Sequence, residues 1–214
     1  MSVFERLKQA RIVAVIRNAD EENIIPIAEA LHKGGVHALE ITAETEHADK
    51  IIEKVTGAFG DKLMIGAGTV LDPETARTML LAGATFIVSP TLNTETIKIT
   101  KRYGAPSIPG AFTPTEVLTA YEHGADMVKV FPAGTVGAGY IKSIKGPLPQ
   151  IPLMTTGGID GENMEEYFNN GAEVVGIGSQ LVNPKQLNKD EDYDELAKRA
   201  ASYVKKVSAM SVFN

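Results

Sequence analysis

The feature that most constrains this chain is a recurring unit in which a glycine ends a helix and an apolar strand begins within a few residues. Gly35 precedes Val36-His37-Ala38-Leu39-Glu40-Ile41-Thr42, Gly60 precedes Leu63-Met64-Ile65, and Gly83 precedes Phe86-Ile87-Val88. Gly104, Gly124 and Gly171 stand before Ser107-Ile108, Met127-Val128 and Val174-Val175 in the same way, at steps of 25, 23, 21, 20 and 47 residues along the six glycines. Glycine just past a helix closes it in a left-handed conformation, and repeating that closure before each strand describes βα units. The long step holds two units, with Ile151-Pro152-Leu153-Met154-Thr155 supplying the second. Ile12-Val13-Ala14-Val15-Ile16-Arg17 comes first, which makes eight strands.

The intervening segments carry helix starts. Asp72-Pro73-Glu74 and Thr113-Pro114-Thr115-Glu116 each place a capping residue before a proline and then an acid. Eight strands alternating with helices predict an α/β chain, a single-domain (β/α)8 TIM barrel over residues 1–214. Ser2-Val3-Phe4-Glu5 reads as a capping box opening a short additional N-terminal helix. An open doubly wound sheet competes, but it has no need of eight near-equal units. The acidic run Asp190-Glu191-Asp192-Tyr193-Asp194-Glu195 fits the first turn of a last helix better than a metal loop.

One strand carries a lysine. In Met127-Val128-Lys129-Val130-Phe131, alternation puts Lys129 on a face with Met127 and Phe131, and Val128 with Val130 on the other. Both faces are apolar, as in a parallel strand covered on two sides. Lysine is almost never fully buried without compensation. Either this is an edge strand whose amine reaches solvent, or burial has made the amine a nucleophile. The same alternation sets Arg17 in phase with Val13 and Val15, and Glu40 in phase with Ala38 and Thr42. With the apolar pairs toward the helices, Arg17, Glu40 and Lys129 all point into the barrel. Three enclosed charges could be a structural ion-pair cluster, but desolvation largely cancels such attraction, which favours function. A free lysine titrates near ~10.4. Apolar neighbours and Arg17 would lower that value, while Glu40 would raise it. A neutral amine attacks a ketone to form an imine, with Glu40 as proton shuttle. The protonated imine then accepts electrons from a breaking C–C bond, the chemistry of a lysine-dependent aldolase.

In such barrels the site lies at the C-terminal ends of the strands. Thr156-Gly157-Gly158-Ile159 and Gly178-Ser179 end the seventh and eighth strands, where backbone N–H groups can receive a phosphate or carboxylate. Metal chemistry lacks ligands. The chain has no cysteine and four histidines, of which His32, His37 and His123 fall at helix–strand junctions on the opposite end. His47 alone does not make a zinc site, and a Mg²⁺ held by Glu40, Glu44 and Glu46 has no support from spacing. No metal or cofactor is expected. A net charge of −6 argues against nucleic-acid binding while permitting a local site for an anionic substrate. No apolar run reaches membrane-spanning length, and the N-terminus does not read as a signal peptide. Together with the missing cysteines, this suits a cytoplasmic protein.

These motifs resemble the 2-keto-3-deoxy-6-phosphogluconate / 4-hydroxy-2-oxoglutarate aldolase family. The likeness runs in order through Val13-Ala14-Val15-Ile16-Arg17, Leu39-Glu40-Ile41-Thr42, Gly66-Ala67-Gly68-Thr69-Val70, Val88-Ser89-Pro90 and Ile108-Pro109-Gly110. It continues through Thr113-Pro114-Thr115-Glu116, Lys129-Val130-Phe131-Pro132-Ala133 and Thr156-Gly157-Gly158-Ile159. The resemblance implies that Lys129 is the Schiff-base lysine and Glu40 the general acid/base. Thr69, Pro90, Phe131 and Thr156 would line the pyruvyl pocket, with Gly157, Gly158, Gly178 and Ser179 near the phosphate. It also implies a keto-acid substrate and a homotrimer. One position departs. Where the enteric phosphogluconate branch has an arginine that holds the substrate carboxylate, this chain has Glu44. A carboxylate cannot replace an arginine there, so either Arg17 and Thr69 do that work or substrate preference has changed. The expected activity is class I aldol cleavage of a phosphorylated 2-keto-3-deoxy sugar acid, or of 4-hydroxy-2-oxoglutarate, to pyruvate and an aldehyde. A non-catalytic sugar-phosphate-binding barrel and a sugar-phosphate isomerase are the alternatives.

Overall fold

In the computed structural model, which describes residues 1–210, nine parallel strands pair side by side in one sheet that winds round on itself. They are β1 (Ile12–Ile16), β2 (Ala38–Thr42), β3 (Met64–Gly68), β4 (Phe86–Val88), β5 (Ser107–Ile108), β6 (Gly110–Ala111), β7 (Val128–Val130), β8 (Leu153–Thr156) and β9 (Val174–Ile177). β1 pairs with both β2 and β9, which closes the seam between the first and last strands. The strand predicted after Gly104 is present as two short pieces, β5 and β6, split at Pro109. Proline has no N–H to donate and breaks the ladder at that residue. Its carbonyl still accepts from the Lys129 N–H at 2.8 Å, so the barrel stays closed across the break.

Helices follow the strands as the glycine series requires: α2 (Ile24–Lys33), α3 (Ala48–Phe59), α4 (Pro73–Leu81), α5 (Thr94–Arg102), α6 (Pro114–Glu122), α7 (Ala138–Lys145), α8 (Met164–Asn169) and α9 (Asp190–Met210). All six glycines of the repeat have positive φ, between 52° and 107°. Asp72 caps α4 through the Thr75 N–H at 2.6 Å, and Thr113 and Glu116 form a full capping box on α6. The acids at 190–195 open α9, where Asp192 accepts from the N–H groups of Asn188 and Lys189.

Strand alternation sorts the apolar side chains into two layers. Ala14, Leu39, Ile41, Val128, Val130 and Val175 pack outward against the helices. Val13, Ala38, Met64, Phe86, Ile108, Met127, Met154 and Val174 fill the barrel interior. The short helix α1 (Val3–Ala10) plugs the lower end by adding Leu7 to that interior cluster. Its cap is half of the expected box: Ser2 accepts from the Glu5 N–H, while the Glu5 carboxylate turns to Lys8. The charged strand residues lie above this floor, so the apolar base forces chemistry to the upper end.

The lower end also carries a pH-sensitive contact. His32 Nδ1 and His37 Nδ1 lie 3.2 Å apart, and the rings meet edge to face. Burial first, then the neighbouring His32 and Arg6, hold the His37 pKa below its ordinary 6.5. The folded state therefore disfavours protonated His37, and below pH 6.5 the unfolded chain binds the proton more readily. Stability contributed by neutral His37 is present above that value and is lost as pH falls through the lowered folded pKa. Melting temperature should decline modestly from pH 7 to pH 5, and less steeply in His37→Gln. Identical slopes in the two proteins would contradict the linkage.

Candidate active site

The lysine that alternation placed inward is inward. The Lys129 side chain is 2 % exposed and that of Glu40 is fully buried, with Lys129 Nζ 3.8 Å from Glu40 Oε1. That separation is too long for a charge-assisted hydrogen bond, which closes at about 2.7–2.9 Å. Among the described residues neither Glu40 oxygen has a hydrogen-bond partner, and the buried Thr156 hydroxyl also lacks one. Buried polar atoms are nearly always satisfied, so three orphans on inward-facing strand residues of β2 and β8 point to a ligand that would satisfy them. The Lys129 ammonium also faces the Phe131 ring, 5.0 Å from its centroid. Such a contact holds the amine in place without consuming a hydrogen-bond acceptor.

Local backbone makes room for this pair. Gly68 at the end of β3 lies so close to β2 that a Cβ there would overlap Glu40 Oε1. Thr42, two residues above Glu40, is buried and donates to the Ile16 carbonyl at 3.3 Å. It therefore ties the upper ends of β1 and β2 together.

A cavity of about 540 Å³ opens above the pair, and it brings together Arg17, Phe131, Thr156, Gly157, Gly158, Gly178 and Ser179. Lys129 and Glu40 do not line it. By strand register Lys129 pairs with Met154, two residues below Thr156, so it sits one inward layer deeper. Among the described residues the N–H groups of Gly158 and Ser179 donate to no protein acceptor, which leaves them available to an anion. Both Gly157 and Gly158 have positive φ, and their turn packs on Gly134, whose N–H donates to the Gly157 carbonyl at 2.7 Å.

Two expected residues stand apart from this cavity. Thr69 follows β3 with a φ of 55°, and Pro90 follows β4; both are half-buried and neither lines the cavity. Arg17 departs further from expectation. β1 ends at Ile16, so strand alternation no longer governs Arg17, and the chain turns at Asn18 with a φ of 55°. The guanidinium lies at the exposed rim, ion-paired with Glu44. The enclosed cluster therefore holds two charges, and Arg17 is not the like charge beside Lys129. Leaving a cation at the rim with a partner avoids the desolvation that burial would cost. Glu44 and Glu46 are both exposed, with Glu44 paired to Arg17, so neither joins the buried Glu40.

Asn18, Gln180, Asn183 and Lys185, which belong to none of the motifs above, also line the cavity. A signal for the last was present. Asn183-Pro184 is a cap followed by proline, and it starts a tight turn at Pro184–Gln186 that sets Lys185 at the edge.

Known proteins share this arrangement of sequence and fold. A family model described as KDPG and KHG aldolase matches residues 3–199. The 2-dehydro-3-deoxy-phosphogluconate aldolase of Pseudomonas aeruginosa is 36% identical over 181 residues, which cover 84% of this chain and 81% of that one. Among solved structures, the KDPG aldolase of Legionella pneumophila, holding pyruvate as a covalent carbinolamine captured at low pH, superposes with a TM-score of 0.87. Its identity is 32%, over 94% of this chain and 98% of that one. A porous protein cage designed by fusing symmetric oligomeric domains superposes with a TM-score of 0.86 at 33% identity, over 91% of this chain and 71% of that one.

Proposed function

The chain belongs to the KDPG and KHG aldolase family, and from that premise we propose how its own residues perform class I aldol cleavage. The observation that carries the reading is the buried Lys129–Glu40 pair with both carboxylate oxygens unpartnered. Lys129, its ammonium proton passed to Glu40, attacks the C2 carbonyl of a 2-keto acid, and the carbinolamine loses its hydroxyl as water by taking that proton back from Glu40. The resulting iminium draws in the electron pair of the C3–C4 bond as Glu40 takes the proton of the C4 hydroxyl. The aldehyde leaves, and protonation of the enamine at C3 followed by hydrolysis releases pyruvate and restores the amine.

The distal end of the substrate is read as a phosphate held by Gly157, Gly158, Gly178 and Ser179, so that binding energy remote from the scissile bond aligns C2 with Lys129. Arg17, Phe131 and Thr156 then face the keto acid, with Thr69 and Pro90 supporting from the ends of β3 and β4. The assembly is read as a homotrimer. Supporting this are Leu81, Tyr103, Leu118 and Tyr121, large apolar side chains left exposed on or beside α4, α5 and α6, together with the use of a similar domain in a symmetric cage. A chain without cysteine suits the reducing cytoplasm.

Borohydride reduction in the presence of pyruvate tests the imine. A mass increase matching reduced pyruvate is expected, and peptide mapping should place it on Lys129. A protein that stays unmodified under these conditions would instead fit a sugar-phosphate-binding barrel or an isomerase.

A further inference from the structure

Two cations line the cavity above Lys129, and their states differ. Arg17 is already paired with Glu44. Lys185 has no carboxylate within ion-pair distance among the described residues, and its side chain is exposed. Its backbone is nonetheless held. Pro184 is buried, the Asn183 side chain accepts from the Lys185 N–H at 3.3 Å, and the Pro184 carbonyl accepts from Leu187 at 3.1 Å. A fixed Cα with a free ammonium at the rim of an anion-suited wall describes a charge waiting for a partner from solution.

Backbone N–H groups present only partial charge, whereas a phosphate ester carries nearly two negative charges at neutral pH. In a chain of net charge −6, a dianion entering this cavity gains from a full local cation. Arg17 supplies little of it while Glu44 neutralises the guanidinium. We infer that Lys185 is a specificity-determining residue of this site, the cation that favours a 6-phosphorylated keto acid over a short, non-phosphorylated one. The inference rests on the phosphate reading above. A competing role comes from the neighbouring cavity of about 460 Å³, where Lys185 shares a wall with Asp20 and Glu22. In that role the lysine would steady the loop and would not discriminate between substrates.

Steady-state cleavage of 2-keto-3-deoxy-6-phosphogluconate and of 4-hydroxy-2-oxoglutarate should be compared in the wild type, Lys185→Gln and Lys185→Arg. The ratio of kcat/KM between the two substrates is expected to fall about tenfold in Lys185→Gln, chiefly through KM of the phosphorylated substrate. Arginine should restore most of that ratio, and inorganic phosphate should become a weaker competitive inhibitor of the glutamine variant. A ratio unchanged in Lys185→Gln overturns the assignment, as does an equal loss on both substrates with a lowered melting temperature. A wild type that cleaves both substrates equally well while still trapping pyruvate on Lys129 fails the phosphate reading, and the Lys185 assignment falls with it. Absence of trapping marks failure of the aldolase reading itself.

Discussion

Replacing Lys129 with methionine is expected to lower aldol turnover by at least about 10⁴-fold, the scale on which loss of a covalent nucleophile is felt. The same change should weaken the fold. Glu40 is fully buried with neither oxygen hydrogen-bonded among the described residues, and Lys129 is its counter-charge at 3.8 Å. Removing one member of a buried pair leaves an uncompensated charge, at a cost of about 3–5 kcal/mol. The double variant Lys129→Met with Glu40→Gln removes both charges, so its urea midpoint should lie above that of the single variant while turnover stays lost. Two measurements decide the matter. Near-normal turnover in Lys129→Met would falsify the imine mechanism. A double variant no more stable than the single one would show that the pair carries no such mutual compensation.

Glu40→Gln should reduce turnover by about 10²–10⁴-fold, the usual contribution of a positioned general acid/base. The amide preserves the shape that Gly68 accommodates, but it neither takes nor gives a proton at the required steps. Stability is expected to fall here too, because Lys129 loses its counter-charge in an apolar setting. Melting temperature alone therefore does not distinguish the roles. The discriminating quantity is turnover per folded molecule, obtained by normalising rate to the native fraction. A purely structural Glu40 would leave that quantity unchanged.

The parallel barrel and the inward pair were determined by the sequence itself. Glycine past a helix end permits a backbone closure with positive φ that other residues resist, and all six glycines of the repeat adopt it here. Alternation along a strand is a geometric necessity, so Lys129 and Glu40 faced inward as soon as Val128, Val130, Leu39 and Ile41 were assigned to the helix side. Other features were decided only by the tertiary structure. Pro109 divides a strand that reads as continuous, yet the barrel stays closed because the Lys129 N–H reaches its carbonyl. Arg17 shares the phase of Val13 and Val15, but β1 ends one residue earlier, and a rim carboxylate one βα unit further along the chain, Glu44, captures it. Thr69 and Pro90 follow their strands as expected and still fall outside the cavity, while Lys185, in no strand at all, is brought to its edge by a turn. The division has a physical cause. Periodicity and capping act within a few residues and are written in the local sequence, whereas where a strand stops, which charges meet at a rim and which loop closes a cavity depend on distances between segments far apart in the chain.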